Sequence, residues 1–166
     1  MKMKFKQRSI KISMVSAILA GTIGLSSASF ATNFDVITTV DEACTIGASD
    51  MNFGTYDTSD ASPTQETSTI TLTCTSGTTG TVLISQGGTL LSDSNEAAPM
   101  RQMAIGSDTL RYSLSHELGG AEWGNTIASG KGFSGSSNIT VYGEIEAGLA
   151  VVAGDYEDTV TVSIEY

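Results

Sequence analysis

His116, the sole histidine, stands beside Glu117 in a stretch rich in serine and glycine. A catalytic serine needs such a base, oriented in turn by an acid. A Ser-His-acid set can be assembled on paper from almost any chain with this many serines, and no nucleophile-elbow motif supports one here. Glu144 and Glu146 share one phase of a strand and could flank a glycosidic bond, but solvated carboxylates on a sheet are far commoner. Asp57, Asp60 and the run Asp155, Glu157, Asp158 could attract calcium, yet no EF-hand spacing is present. Trp123 lies among glycines and could stack on a sugar, although a lone tryptophan in a sandwich more often packs in the core. Cys44 and Cys74 are the only thiols, and a single histidine cannot complete a zinc shell with them. The chain reads as a non-enzyme without metal or cofactor.

The elements that must position these residues begin after an export signal. Lys2, Lys4, Lys6, Arg8 and Lys11 form a basic head, Met14 to Ala20 an apolar run, and Ser29-Phe30-Ala31 a small-residue end. This is the order a secretory peptidase reads, so residues 1–31 are predicted to be removed and the mature chain to start at Thr32. The apolar run is too short to span a bilayer as a helix, so no stable membrane insertion is expected. An oxidising compartment and an even cysteine count then predict one disulfide, Cys44 with Cys74, worth about 3–4 kcal/mol on the chain-entropy argument.

Removal of the signal leaves about 135 residues, enough for one domain. All 18 acidic residues follow the signal, and only Arg101, Arg111 and Lys131 oppose them, a formal charge of about −15. Such a chain repels phosphate backbones and anionic lipid, so nucleic-acid binding is excluded and solubility by mutual repulsion explains the charge.

Within the mature part a period of two dominates. Ile70, Leu72 and Cys74 alternate with Thr69, Thr71 and Thr73; Val82 and Ile84 follow the turn at Gly77 to Gly80; Leu110, Tyr112 and Leu114 alternate with Arg111 and Ser113. Ile139 and Val141 lead into Tyr142-Gly143-Glu144-Ile145, and Val160, Val162, Ile164 and Tyr166 alternate with polar residues to the last position. Half-buried antiparallel strands give this pattern, because their side chains point to opposite faces in turn. Gly87-Gly88, Gly119-Gly120 and Gly130-Lys131-Gly132 read as turns or loops, and 57–67 as an exposed connection. No stretch after residue 31 carries a helical repeat, and the expected architecture is an all-β sandwich.

Residues 33–40 form a further predicted strand. Phe34, Val36, Thr38 and Val40 lie on one phase, with Asp35, Ile37 and Thr39 on the other. Such a strand either begins the domain's own sheet or completes the sheet of a neighbouring molecule.

From Cys44-Thr45-Ile46 onward the chain resembles the spore coat protein U domain, also the subunit of archaic chaperone–usher pili of the Csu type. The resemblance runs through Met51-Asn52-Phe53-Gly54-Thr55-Tyr56, Ile70 to Thr75, Ile84-Ser85-Gln86-Gly87-Gly88 and Arg101-Gln102-Met103. It continues through Leu110 to Leu114, Glu122-Trp123-Gly124-Asn125 and Val141 to Ile145, then Ala153-Gly154-Asp155-Tyr156-Glu157-Asp158 to Val162. Each motif is weak alone; their order across nearly the whole mature chain is specific.

The resemblance implies an incomplete immunoglobulin-like β-sandwich completed by donor-strand exchange. Residues 32–43 become the N-terminal donor segment and 44–166 the pilin-like domain. Phe34, Val36, Thr38 and Val40 are the implied donor side chains, while Val160, Val162, Ile164 and Tyr166 bound the implied acceptor groove. Tyr156 after Gly154 resembles a tyrosine corner, its hydroxyl bonded to nearby backbone. Cys44–Cys74 would tie the first strand to its neighbour. The implied partners are a periplasmic pilus chaperone, an outer-membrane usher and identical or related subunits. The implied setting is export to the periplasm and then the cell surface, for attachment or biofilm formation. A secreted spore-coat or matrix protein is one alternative. A single-domain carbohydrate-binding adhesin is another, although tip adhesins of this type carry a second domain for which this chain has no room.

Overall fold

Alternating apolar side chains become antiparallel strands in the computed structural model, which describes residues 30–166. The expected signal, 1–31, lies outside the described residues except for its last two. Residues 30–38 belong to a unit of their own, contain no strand and are exposed. The predicted strand at 33–40 is therefore not formed. Its backbone groups have no cross-strand partner among the described residues, and an unpaired strand has nothing to hold it extended.

The rest of the described chain forms nine strands: β1 Cys44–Ala48, β2 Thr64–Cys74, β3 Thr79–Ile84, β4 Thr89–Leu90, β5 Arg101–Ile105, β6 Asp108–Ser115, β7 Lys131–Ser134, β8 Ser137–Ile145 and β9 Val162–Glu165. They make a six-stranded sheet in the order β1-β2-β8-β6-β5-β4 and a three-stranded sheet in the order β7-β3-β9, antiparallel at every pairing. The inner face of the larger sheet supplies Ile70, Leu72, Leu114 and Val141 to the core, and the smaller sheet supplies Val82, Ile84 and Phe133. Each such side chain contributes about 1.5–3 kcal/mol on burial. Thr71 and Thr73, on the opposite phase of β2, face solvent. Tight turns join neighbouring strands, as at Gly106, whose φ of +60° lets two residues connect β5 to β6.

Cys44 and Cys74 lie opposite each other across β1 and β2 and form the disulfide. The connection expected over 57–67 ends earlier, because Thr64 to Thr67 pair with Ile145 to Tyr142 of β8. Residues polar on both phases gave no alternation to read. Lys131 and Gly132, expected in a turn, instead open the edge strand β7. The last strand is also shorter than the 160–166 alternation suggests, spanning Val162–Glu165.

Candidate functional site

The two sheets do not close on each other along one side. A cavity of about 580 Å³ opens there. Its floor is Ile70, Ile84, Leu114 and Val141, one wall runs from Ala48 through Met51 and Phe53, and the other runs from Tyr156 to Val160 with Val162. Met103 and Tyr112 complete the lining, and the rim residues Ser49, Asp50, Glu157 and Thr159 are exposed. The result is a groove with an apolar floor and polar residues along its rim, open to solvent.

The wall at β9 carries unused backbone. Among the described residues β9 pairs with β3 alone. The Ser85 amide donates to the Thr161 carbonyl at 2.9 Å, and the register continues with Leu83 opposite Ser163 and Thr81 opposite Glu165. Antiparallel ladders alternate, so Thr161, Ser163 and Glu165 turn their N–H and C=O groups toward β3. Val160, Val162 and Ile164 turn theirs to the other side. β1 runs close to β9 without pairing with it. Of the four residues expected to bound an acceptor groove, Val160 and Val162 line the cavity, Ile164 packs against the core, and Tyr166 is exposed outside the lining. Phe34, Val36 and Val40 are 83%, 84% and 75% exposed, and Thr38 is exposed with them.

Segment 156–161 lies outside the named strands and is held by specific bonds. Glu157 bridges Ala104 of β5. The Asp158 carboxylate accepts from the Tyr112 hydroxyl at 2.6 Å through Oδ2, and from the amides of Gly88 and Thr159, both at 2.8 Å, through Oδ1. A Cβ at Gly87, whose φ is +91°, would run into this carboxylate. Burial, reinforced by the bond to Asp158, pushes the Tyr112 hydroxyl far above the ordinary tyrosine range, so it keeps its proton and donates. Thr161 donates to Ser85 Oγ at 2.8 Å.

Ser85 is anchored in turn by Arg101, whose side chain is fully buried. Arg101 Nη2 donates to the carbonyls of Ile84, Ser85 and Trp123 at 3.0, 2.8 and 2.6 Å, Nε reaches Ser85 again at 2.9 Å, and Nη1 meets Glu122 Oε2 at 3.0 Å. Burial lowers the Arg101 pKa against the pull of Glu122, and raises that of Glu122 against the pull of Arg101. A residue of the large sheet thus fixes the end of β3, which fixes the groove wall.

The family model for the Spore Coat Protein U domain matches residues 30–163. Protein U of Myxococcus xanthus is 31% identical over 165 residues, covering 89% of this chain and 92% of its own length. The chain belongs to the spore coat protein U domain family. Among solved structures it is similar to a chain in the chaperone–tip adhesion subunit pre-assembly complex CsuC–CsuE, from the archaic chaperone-usher Csu pili of Acinetobacter baumannii. That similarity has a TM-score of 0.51 at 25% identity and covers 77% of this chain and 40% of the other, so this chain spans about two-fifths of its neighbour's length. The all-β sandwich described above is the immunoglobulin-like pilus-subunit fold of that neighbour.

Within this spore coat protein U domain the residues singled out for chemistry take structural positions. His116 stands edge-on to Trp123 with ring centroids 5.8 Å apart. Trp123 is fully buried and donates through Nε1 to the Val82 carbonyl at 2.9 Å, so it offers no face to a sugar. Glu144 accepts from Gln65 Nε2 at 2.7 Å. Asp57 accepts from the Ser59 hydroxyl and amide in a local turn, and these bonds hold its carboxyl below the usual range. Among the described residues no cluster of His, Cys, Asp and Glu is placed to hold a metal. Tyr156 donates to the Val152 carbonyl at 3.0 Å, four residues upstream.

Sequence reasoning alone missed Met51, Phe53, Met103, Tyr112 and Asp158 as groove residues. One signal was available. Gly143 interrupts an apolar strand, and a Cβ there would strike the Met51 sulfur and come within 2.7 Å of the Phe53 ring. A glycine inside a strand marks such close approach.

Proposed function

We propose that this chain is an exported, non-enzymatic subunit of a chaperone–usher surface fibre, polymerising by accepting a strand from one neighbour and donating one to the next. The observation that carries this reading is the apolar groove beside an unpaired strand edge, Val160 and Val162 lining the first and turning their backbone toward the second. Exposed edges of this kind invite aggregation unless covered. An added strand would satisfy the backbone and fill the groove with alternate side chains. Phe34, Val36, Thr38 and Val40 are the donor side chains in this reading, and their exposure leaves them available. Donation from each molecule to the next is a head-to-tail contact that need not close, and so it builds a filament.

Export follows from the basic and apolar leader, with cleavage after Ala31. A periplasmic chaperone covers the groove before assembly, as the chaperone–subunit pairing named for the Csu structure suggests, and an outer-membrane usher exchanges it for a neighbour's segment. The finished fibre serves attachment or biofilm formation. A spore coat or secreted matrix would use the same groove and edge, and the family's name favours that setting as the second reading.

Deletion of residues 32–40 tests the proposal. The truncated subunit should fold with its chaperone and cap a chain, yet fail to extend it, as read by the ladder of polymers on a gel. Loss of folding with chaperone present would assign the segment to its own domain.

A further inference from the structure

Polar groups line the groove alongside the apolar ones, most of them at its rim. Its rim residues are exposed and the Ser68 hydroxyl is already committed to the Ser49 carbonyl. Tyr112 and Asp158, by contrast, are half-buried in the lining, where an entering strand would seal them from water. An ionised carboxylate offers about four acceptor positions. In Asp158 three are used, by Gly88, Thr159 and Tyr112, and the remaining one is on Oδ2, which holds the tyrosine hydroxyl alone.

The leading segment has the matching irregularity. Its groove-facing phase is Phe34, Val36, Thr38 and Val40, three apolar residues and one hydroxyl. Buried in a purely apolar groove, that hydroxyl would cost about 1–3 kcal/mol.

We infer that the groove takes the leading segment of a second copy of this chain in one register, set by the Thr38 hydroxyl donating to Asp158 Oδ2 beside Tyr112; this rests on the strand-acceptor reading above. The register also fixes direction. An antiparallel strand with Thr38 at Asp158 places Val36 opposite Val160 and Phe34 opposite Val162, apolar against apolar. A parallel strand with the same contact would leave Phe34 opposite Gly154, outside the lining, and Val36 at Tyr156, its last residue on that side. Pairing runs through Val160 and Val162, the residues whose backbone faces the open side. Thr38 is then a specificity residue, and a slip by two positions would bury Asp158 against a valine.

Labelled synthetic peptides of residues 32–43 test this on the exported full-length mature chain, in the natural sequence and with Thr38→Ser or Thr38→Val. Only the peptide changes, so the acceptor's folding is unaffected. Apolar burial alone ranks Val above Thr and Thr above Ser. A hydroxyl read by Asp158 instead keeps Ser close to Thr and weakens Val about tenfold in Kd. Binding of Thr38→Val as tight as the natural peptide overturns the register while leaving the strand-acceptor reading intact. Uptake of none of the three overturns both.

Discussion

The end of the sandwich around Arg101 and the side bounded by β9 contain the same materials, backbone carbonyls and apolar side chains, in opposite conditions. At the first, Ile84, Ser85 and Trp123 present carbonyls inward, and one guanidinium reaches all three while Glu122 balances its charge. At the second, Val160, Val162 and Ile164 present backbone outward, with no strand beyond β9 among the described residues. Buried polar groups must find partners. The chain supplies them to itself at the first place; at the second, the proposed reading leaves them to a neighbour, and stability and assembly then rest on different residues.

The largest effect comes from breaking the completed end. Arg101→Met retains bulk but removes the donor to three carbonyls and leaves the partly exposed Glu122 without its cation. A buried acceptor left unpaired costs about 1–3 kcal/mol, and denaturant titration should show a loss of about 3 kcal/mol or more for the set. Because Ser85 then loses its anchor, the Thr161 wall loosens and strand uptake falls as well. A loss below about 1 kcal/mol, the worth of one ordinary hydrogen bond, would mean that the two regions differ less than their geometry indicates.

The open side should respond in the reverse sense. Val160→Lys places a cation in the groove wall where a long side chain can still reach water at the rim. Only a half-buried valine is lost, so the urea midpoint of the isolated chain should move by about 1 kcal/mol or less in stability. Polymer formation should disappear, because a strand laid over the lysine would bury an unpaired charge. If stability and assembly fall together, the wall is part of the fold's own core and the distinction between the regions fails.

How far these regions are legible in the chain depends on the range of the interactions that build them. Ile70 and Leu72, Leu110 to Leu114, and Val141 announce themselves by local alternation, since a strand's period needs no knowledge of its partner. The cysteine pair is legible by counting. The groove wall is not. Segment 156–161 is shaped by Asp158 reaching Gly88, seventy residues away, and by Ser85 reaching Thr161. A carboxylate destined for such a role looks like any surface acid beside Asp155 and Glu157. Arg101 likewise reads as one of few cations, and nothing local indicates that it enters the core. The family resemblance carried what local pattern could not, the expectation of an open side. The strand expected at 33–40 shows the converse limit, because its alternation is real yet by itself supplies no ladder partner.

The smallest effect separates two contributions within the closed end. Burial raises the Glu122 carboxyl above the ordinary glutamate range even though Arg101 pulls it down. A carboxyl with a raised folded value binds its proton more tightly when folded. Its contribution to stability is therefore fully present below the unfolded value of about 4.3 and is lost as pH rises through the folded value. Glu122→Gln removes that titration. Urea midpoints measured from pH 4 to 7 should show the wild type's advantage over the variant largest at the acid end and narrowing upward. A gap that widens toward neutrality would mean that attraction to Arg101 exceeds the cost of dehydrating the pair.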